Sequence, residues 1–426
     1  MRKVVIVGLG KSGMGAARIL AGNGDTVFVT EIKQNATTRA AVQTLLEEGV
    51  LREDNIEIGL HSKRFIEDAD LMIVSPGVLG DSLPVKLARE ASIPIISELE
   101  LAYSICPAPI IAVTGTSGKT TVTTLIGEML KKSGRDVIVC GNIGNPLSSE
   151  IKRIKKDSIV VLEVSSFQLE RIKDFKPKTS VILNISENHL DRHRDMKEYI
   201  SLKARIFLNQ DEQGTLFLNS QDNVLKGLSR DIKRVRVEFF DEYKDFRKRF
   251  NIENENYLAA MSVASLEGVS ESVMLQIVAG FKGLEHRLEY VTMVNGVGFY
   301  NDSKATTVSS VEWALRSLDP RIILIMGGKY KGGDFGRLRH LIDMKVDSVI
   351  AIGEAKSRIK NDLAGFKDFL EARSLEDAVR VAFEKAGKGS KILLSPGCSS
   401  FDMFKDYEER GRIFKEICLR PGLEHV

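Results

Sequence analysis

Ile110-Ile-Ala-Val-Thr114-Gly115-Thr116-Ser117-Gly118-Lys119-Thr120-Thr121 runs from apolar, β-branched residues straight into a glycine loop ending Gly-Lys-Thr. A strand that empties into such a loop and then a helix is the setting of a phosphate-binding P-loop. Backbone N–H groups from Gly115 to Thr121 would cradle phosphates, Lys119 would reach the β- and γ-phosphates, and Thr120 would ligate Mg²⁺. The strict G-x-x-x-x-G-K-[ST] form is not met, because Val113 stands at the first glycine position. The competing reading is a glycine-rich turn with an exposed lysine. A P-loop also needs an acid on a neighbouring strand to hold the metal. Ser158-Ile-Val-Val-Leu-Glu163 provides one, four apolar residues closed by a carboxylate.

Outward from this point, short β-branched runs alternate with helical patterns. Strands are expected at 3–8, 26–30, 71–75, 110–114, 136–140, 158–163, 180–184, 322–326, 347–352 and 391–394. That alternation predicts an α/β protein with mainly parallel, Rossmann-like sheets. Pro94, Pro107 and Pro109 suggest a linker over 92–109, and Asn295-Gly296 joins two runs as a hairpin. A helix is expected over 255–267, after a shorter, more charged stretch at 215–250. The partition is 1–97, 98–283 and 284–426, in keeping with two or three domains at about 150 residues each.

Composition excludes several classes. Sixty-one basic against 58 acidic residues leave +3, no footprint for nucleic acid. No apolar run approaches the roughly 18 residues of a membrane span. The basic stub Arg2-Lys3 and a short apolar run before Gly8 do not make a secretory leader, so a cytoplasmic location is expected. Cys106, Cys140, Cys398 and Cys418 have no paired spacing and predict neither disulfides nor a cysteine zinc site.

The first strand runs into Gly8-Leu-Gly10-Lys11-Ser12-Gly13, a complete G-x-G-x-x-G, and Glu31 follows 18 residues after Gly13. This is a dinucleotide-type fingerprint, with a phosphate facing the helix start. By itself it does not separate a nicotinamide cofactor from another nucleoside diphosphate, or either from a tight βα turn. Ser75-Pro76-Gly77 ends a later strand on the edge where such sheets carry ligands.

After strand 180–184 comes Asn184-Ile-Ser-Glu-Asn-His189-Leu-Asp-Arg-His193. Its histidine spacing lacks the metalloprotease glutamate, so zinc is rejected, while His189 is a candidate ligand for a second metal ion. In helix 195–208, Lys203 lies within the stripe of Met196, Tyr199, Ile200, Ile206 and Phe207. It either snorkels at the edge of that face or sits in a pocket that favours a neutral amine able to take up CO₂. In the third domain, polar density gathers at His286-Arg287, at Asn301-Asp302-Ser303-Lys304-Ala-Thr306, at Gly327-Gly328-Lys-Tyr-Lys331-Gly-Gly333 and at Ser395-Pro-Gly-Cys-Ser-Ser400-Phe401-Asp402. Basic residues beyond strand ends suggest an anionic second substrate.

In this order, Gly-Thr-Ser-Gly-Lys-Thr-Thr, Glu163-Val-Ser-Ser-Phe-Gln-Leu-Glu, Asn-His-Leu-Asp-Arg-His, Lys203-Ala-Arg-Ile-Phe, His-Arg and Asn-Asp-Ser-Lys-Ala-Thr, the chain resembles the Mur ligases of peptidoglycan synthesis along essentially its whole length. The stretch Leu394-Ser-Pro-Gly-Cys-Ser-Ser-Phe-Asp-Met-Phe-Lys-Asp-Tyr407-Glu-Glu-Arg-Gly is most similar to the D-glutamate-adding branch. The resemblance implies three domains that bind, in order, a UDP-substrate, ATP and an amino acid. It implies an ATP-dependent amide ligase, expected as a monomer, that joins D-glutamate to UDP-N-acetylmuramoyl-L-alanine. Catalytic roles fall on Lys119, His189, Lys203 and Lys304, with Asn256, Arg287 and Asp302 at ATP. Two Mg²⁺ ions are implied on Thr120, Glu163, His189 and a carbamate on Lys203. Gly10, Lys11, Ser12, Glu31, Ser75, Gly77 and Asn142 match the UDP pocket, so the first glycine loop would not hold a nicotinamide. Thr306, Lys331, Ser400, Phe401 and Tyr407 match the surroundings of the amino acid. Of the His-Asn-x-x-Asn that family members often show before the central helix, only Asn256 is present, after Ile252-Glu253.

Overall fold

Continuous apolar runs, the pattern of strands buried on both faces, form the centre of each sheet. The computed structural model describes residues 1–186, 192–281, 283–330 and 332–420. The chain forms two compact units, Met1–Gly280 and Phe281–Val426.

The first unit holds two sheets. One comprises β1 (Lys3–Val7), β2 (Thr26–Glu31), β3 (Ile56–Ile58), β4 (Leu71–Val74) and β5 (Ile95–Ser97), in the order β3-β2-β1-β4-β5. All of its pairings are parallel. The strand order reverses between β1 and β4, and the crevice of an open α/β sheet lies beyond the strand C-termini at such a point. The other comprises β6 (Ile110–Thr114), β7 (Val137–Gly141), β8 (Ile159–Glu163), β9 (Thr179–Ile182), β10 (Thr215–Leu218) and β11 (Arg236–Phe239). It too is all parallel, in the order β11-β10-β9-β6-β8-β7. The second unit's sheet comprises β12 (Glu289–Val294), β13 (Val297–Asn301), β14 (Ile322–Gly327), β15 (Val346–Ile352), β16 (Phe369–Glu371) and β17 (Lys391–Leu394). Its order is β12-β13-β17-β14-β15-β16. Only the β12–β13 hairpin is antiparallel, turned at Asn295-Gly296 with both residues at positive φ. Such a turn matches the twist of the flanking strands.

The α/β class is what the alternating pattern predicts. The reading of 92–109 as a linker is overturned. Its prolines bracket β5 and the helix Glu98–Tyr103, whose first five residues are all buried. Glu100, 5% exposed, accepts hydrogen bonds from the backbone N–H groups of Lys173 (2.8 Å), Asp174 (2.7 Å) and Phe175 (3.1 Å). Leaving three donors without this carboxylate is expected to cost about 3 kcal/mol or more in Glu100→Ala. The urea midpoint measures this, and a loss below about 1 kcal/mol would mean the donors find other partners. The charged stretch 215–250 contributes β10 and β11 at one edge of the second sheet. Among the described residues no helix is long and apolar enough to cross a membrane, and all four cysteines are free.

Candidate functional site

Pairing of β6 with β8 places Val113 opposite Glu163, so the acid stands beside the start of the glycine loop. β6 is buried throughout, and the helix Lys119–Lys132 follows directly. Gly118 caps that helix at φ +80, with Asn256 so close that a Cβ at Gly118 would lie 2.2 Å from its Oδ1. A side chain there would need both the left-handed backbone and the space Asn256 fills. Asn256 is thereby brought onto the loop.

Glu163 is 2% exposed. Its Oε1 accepts from Asn142 Nδ2 at 2.7 Å, while Oε2 is buried with no hydrogen-bond partner among the described residues. A buried carboxylate oxygen without a donor is costly unless a cation meets it. Thr120 is buried beside the loop as well. These oxygens fit a hard divalent cation. Asn142, matched to the UDP pocket, has its amide turned onto Glu163.

Lys203 lies on the helix Met196–Ala204, whose N-cap Asp195 accepts from Glu198 N. It is 2% exposed, so it does not snorkel. Its Nζ donates to Gly115 O at 2.8 Å and lies 4.7 Å from the Tyr199 ring centre. Burial, then the nearby Lys119 charge, hold its pKa well below the ordinary lysine value, with Glu163 pulling the other way. Lys119 Nζ donates to Gly115 O (2.9 Å) and Thr116 O (3.0 Å). Tyr199, its hydroxyl pushed up to about 12 by burial, reaches Thr116 Oγ1 at 3.2 Å. His189 lies outside the described residues. His193 is buried, stacks on Phe167 and meets Ser166 Oγ through Nε2 at 3.0 Å.

Asn184 carries a role the sequence did not disclose. Its Oδ1 accepts from the N–H groups of Thr116 (3.1 Å) and Ser117 (2.9 Å). An amide oxygen thus occupies loop donors that otherwise suit a phosphate oxygen.

In the first glycine loop the close approaches belong to Gly8 and Gly13. A Cβ at Gly13 would lie 2.1 Å from Gly8 O, and Gly8 has φ +92 against Ser75. Gly10 has open space around its missing side chain, which leaves its backbone accessible to a diphosphate. Both oxygens of Glu31 accept backbone donors, Leu9 N at 2.8 Å and Lys33 N at 2.9 Å. Ser75 Oγ donates to Gly8 O at 2.8 Å, and Lys11 Nζ reaches Gly144 O at 3.4 Å. Ser12 lies in the first turn of the helix Lys11–Gly22, and Gly77 is exposed.

In the second unit, register aligns Asn301 with Leu394 and Leu394 with Ile325. The loops after β13, β17 and β14 therefore leave one sheet edge together, which gathers Asp302, Lys304, Thr306, Ser400 and Phe401. Asp302 is buried and accepts from Ser395 Oγ (2.7 Å) and Leu288 N (3.1 Å). Burial pushes it up to about 7 against those bonds and the neighbouring Arg287. Lys304 Nζ lies 5.1 Å from the Tyr407 ring centre. Thr306 and Phe401 are exposed, and Ser400 is buried. Lys331 lies outside the described residues. Arg410 was missed. It is 1% exposed and donates to Ser303 Oγ (3.0 Å), Ser303 O (2.7 Å) and Cys398 O (3.3 Å). It knots two of the three loops, and burial lowers its pKa to about 10.

The chain matches three family profiles in succession. They are a Mur ligase MurD-like N-terminal domain (residues 2–97), a Mur ligase middle domain (113–282) and a Mur ligase glutamate ligase domain (286–398). It is 39% identical over 443 residues to the UDP-N-acetylmuramoylalanine--D-glutamate ligase of Koribacter versatilis, covering 98% of this chain and 97% of that one. The chain belongs to the Mur ligase family. The Caldicellulosiruptor bescii relative of the same name is 41% identical over 449 residues, with 97% of each chain covered. Two solved Mur-type structures share the fold at 18% identity, each covering 98% of this chain and 99% of the other. They are UDP-N-acetylmuramate-alanine ligase MurC from Thermotoga maritima (TM-score 0.59) and a pseudomurein peptide ligase type C from Methanothermus fervidus (TM-score 0.57).

Proposed function

We propose that this Mur ligase uses ATP to join D-glutamate to UDP-N-acetylmuramoyl-L-alanine, in the cytoplasm, as a step of peptidoglycan precursor synthesis. The observation that carries the reading is Glu163 in register beside the β6 loop, its Oε2 buried without a partner among the described residues, in a chain about 40% identical over its full length to ligases of that name.

The L-alanyl carboxylate attacks the γ-phosphorus of ATP. An O–P bond forms, the bond to the β-phosphate oxygen breaks, and ADP leaves. The neutral amine of D-glutamate then attacks the acyl carbon and expels inorganic phosphate, leaving an amide. Both reactants of the first step are anions, so their repulsion must be offset. Lys119 supplies positive charge at the transferring phosphoryl group. Thr120, Glu163, His189 and a carbamylated Lys203 would hold Mg²⁺, which adds charge neutralisation when bound. Lys203 suits carbamylation because its amine is buried and its pKa is held well below the ordinary lysine value. The amine nitrogen bonds the carbon of CO₂ and a proton leaves. Arg287, Asp302 and Asn256 would face ATP, with Lys304 near the phosphates. Thr306, Lys331, Ser400, Phe401 and Tyr407 would surround D-glutamate. Gly10, Lys11, Ser12, Glu31, Ser75 and Gly77 would hold the UDP moiety.

The test is phosphate release from ATP and Mg²⁺ with UDP-N-acetylmuramoyl-L-alanine, with D-glutamate, L-glutamate or no amino acid. Release that requires D-glutamate is expected. Tight UDP-substrate binding without release under any condition would instead make the chain a nucleotide-sugar sensor. Hydride transfer to a nicotinamide would overturn the ligase reading outright.

A further inference from the structure

We infer that Arg192 is a positioning residue for the UDP-substrate, holding the loop after β4 from across the first unit. The inference rests on the ligase reading above and adds a residue to it.

Arg192 leaves the segment after β9 and reaches a loop 116 residues earlier. Its Nη2 donates to Pro76 O (2.7 Å) and Val78 O (2.8 Å), and its Nη1 to Gly77 O (3.2 Å). Three successive carbonyls therefore converge on one guanidinium, the planar fork suited to several acceptors at once. In a trans peptide the N–H points away from its C=O. The amides of Gly77, Val78 and Leu79 are thus turned away from the arginine. Val78 N spends its proton on Ser75 O at 3.0 Å. Gly77 is exposed, and beyond its chain neighbours no heavy atom of the described residues lies within 4 Å of where a Cβ would stand. Its amide is the positive end of a peptide dipole whose negative end, Pro76 O, is met by the half-buried Arg192 guanidinium. That arrangement favours an anion such as a diphosphate.

The arginine is itself held. Its Cζ lies 4.2 Å from the Phe167 ring centre. The adjacent His193 stacks on the same ring at 5.2 Å and meets Tyr199 at 5.2 Å. Tyr199 reaches Thr116 of the β6 loop. The loop assigned to the UDP-substrate and the loop assigned to ATP therefore hang on one aromatic stack. A lysine in place of Arg192 would bring one point charge, unable to fork over three carbonyls or lie flat on Phe167.

The experiment compares full-length Arg192→Ala, Arg192→Gln and Arg192→Lys with the parent. It measures KM for each substrate, calorimetric binding of UDP alone, and the melting point. In Arg192→Ala, KM for UDP-N-acetylmuramoyl-L-alanine and the Kd for UDP should both rise about ten-fold. KM for ATP and D-glutamate should stay within about two-fold, and Arg192→Lys should recover part of the loss. If the alanine variant does not fold, the glutamine variant, which keeps an amide donor, is read by the same selective shift. A uniform rise in all three KM values that tracks a lower melting point, or an unchanged UDP Kd, overturns the inference and leaves the ligase reading standing. A parent chain that neither binds UDP nor turns over would sink both.

Discussion

Lys119→Met is expected to lower kcat by about 10²–10³-fold, the usual loss when one preorganised electrostatic group is removed. KM for D-glutamate should change little, because the amine enters only after phosphoryl transfer. In the structure the ammonium rests on Gly115 O and Thr116 O, so it is held within its own loop and needs only a short swing to reach a phosphate. The substitution has a second, separable consequence. The Lys119 charge is one of the two causes that depress the Lys203 amine. Without it, Lys203 should recover part of its basicity and take up less CO₂. The ¹³C carbamate signal of the chain in labelled bicarbonate reads this directly. An undiminished signal, together with near-normal kcat, would contradict the arrangement drawn for both lysines.

Lys203→Met is expected to reduce activity by about 100-fold, the upper end for losing a group that supports a metal site. It should also change how stability depends on pH. The folded chain holds this amine neutral where the unfolded chain protonates it. Between the lowered folded value and the ordinary value of about 10.4, the unfolded state binds the extra proton, so stability rises with pH there. Below that window the full penalty applies, and above it none remains. In CO₂-free buffer, the melting point of the methionine variant relative to the parent should therefore be highest at low pH. The difference should fall as pH climbs toward about 10. A difference flat across that range would mean the amine is not neutral in the fold. Restoring bicarbonate should stabilise only the parent.

Both predictions rest on residues legible before the fold was known. The β6 and β8 runs are buried on both faces, so the sequence shows them as unbroken apolar stretches ending in the loop and in Glu163. Lys203 stands out because a charged residue interrupts an apolar stripe. What escaped was short or distant. β3, β5 and β16 have three residues each, too few for a periodic signal, and the prolines beside β5 argued for a linker. Asn184, Arg192 and Arg410 lie in stretches that stand out, but each is a single polar residue to which the sequence attaches no role. Their distant partners lie 67 to 116 residues away, and no local pattern reports a contact at that range. Glu100 is similar: it looks like one acid of a short helix until the backbone of 173–175 closes on it. The Tyr407-Glu-Glu-Arg-Gly stretch did mark its region as distinctive, but its spacing does not say that the arginine turns inward.

The four free cysteines bear on how this protein meets electrophiles. Cys398 sits in the loop gripped by Arg410, yet burial pushes its thiol up to about 12. Cys140 and Cys418 are raised by burial as well, and Cys106 is raised while only partly covered. With a thiol pKa near 12, about one molecule in 10⁵ carries the thiolate at pH 7, against a few per cent for an ordinary cysteine. Alkylating warheads aimed at Cys398 should therefore find almost no nucleophile in the folded chain. The same reluctance makes the three buried thiols, Cys140, Cys398 and Cys418, a clock: each reacts when its part of the chain opens, and the rate of labelling counts those openings.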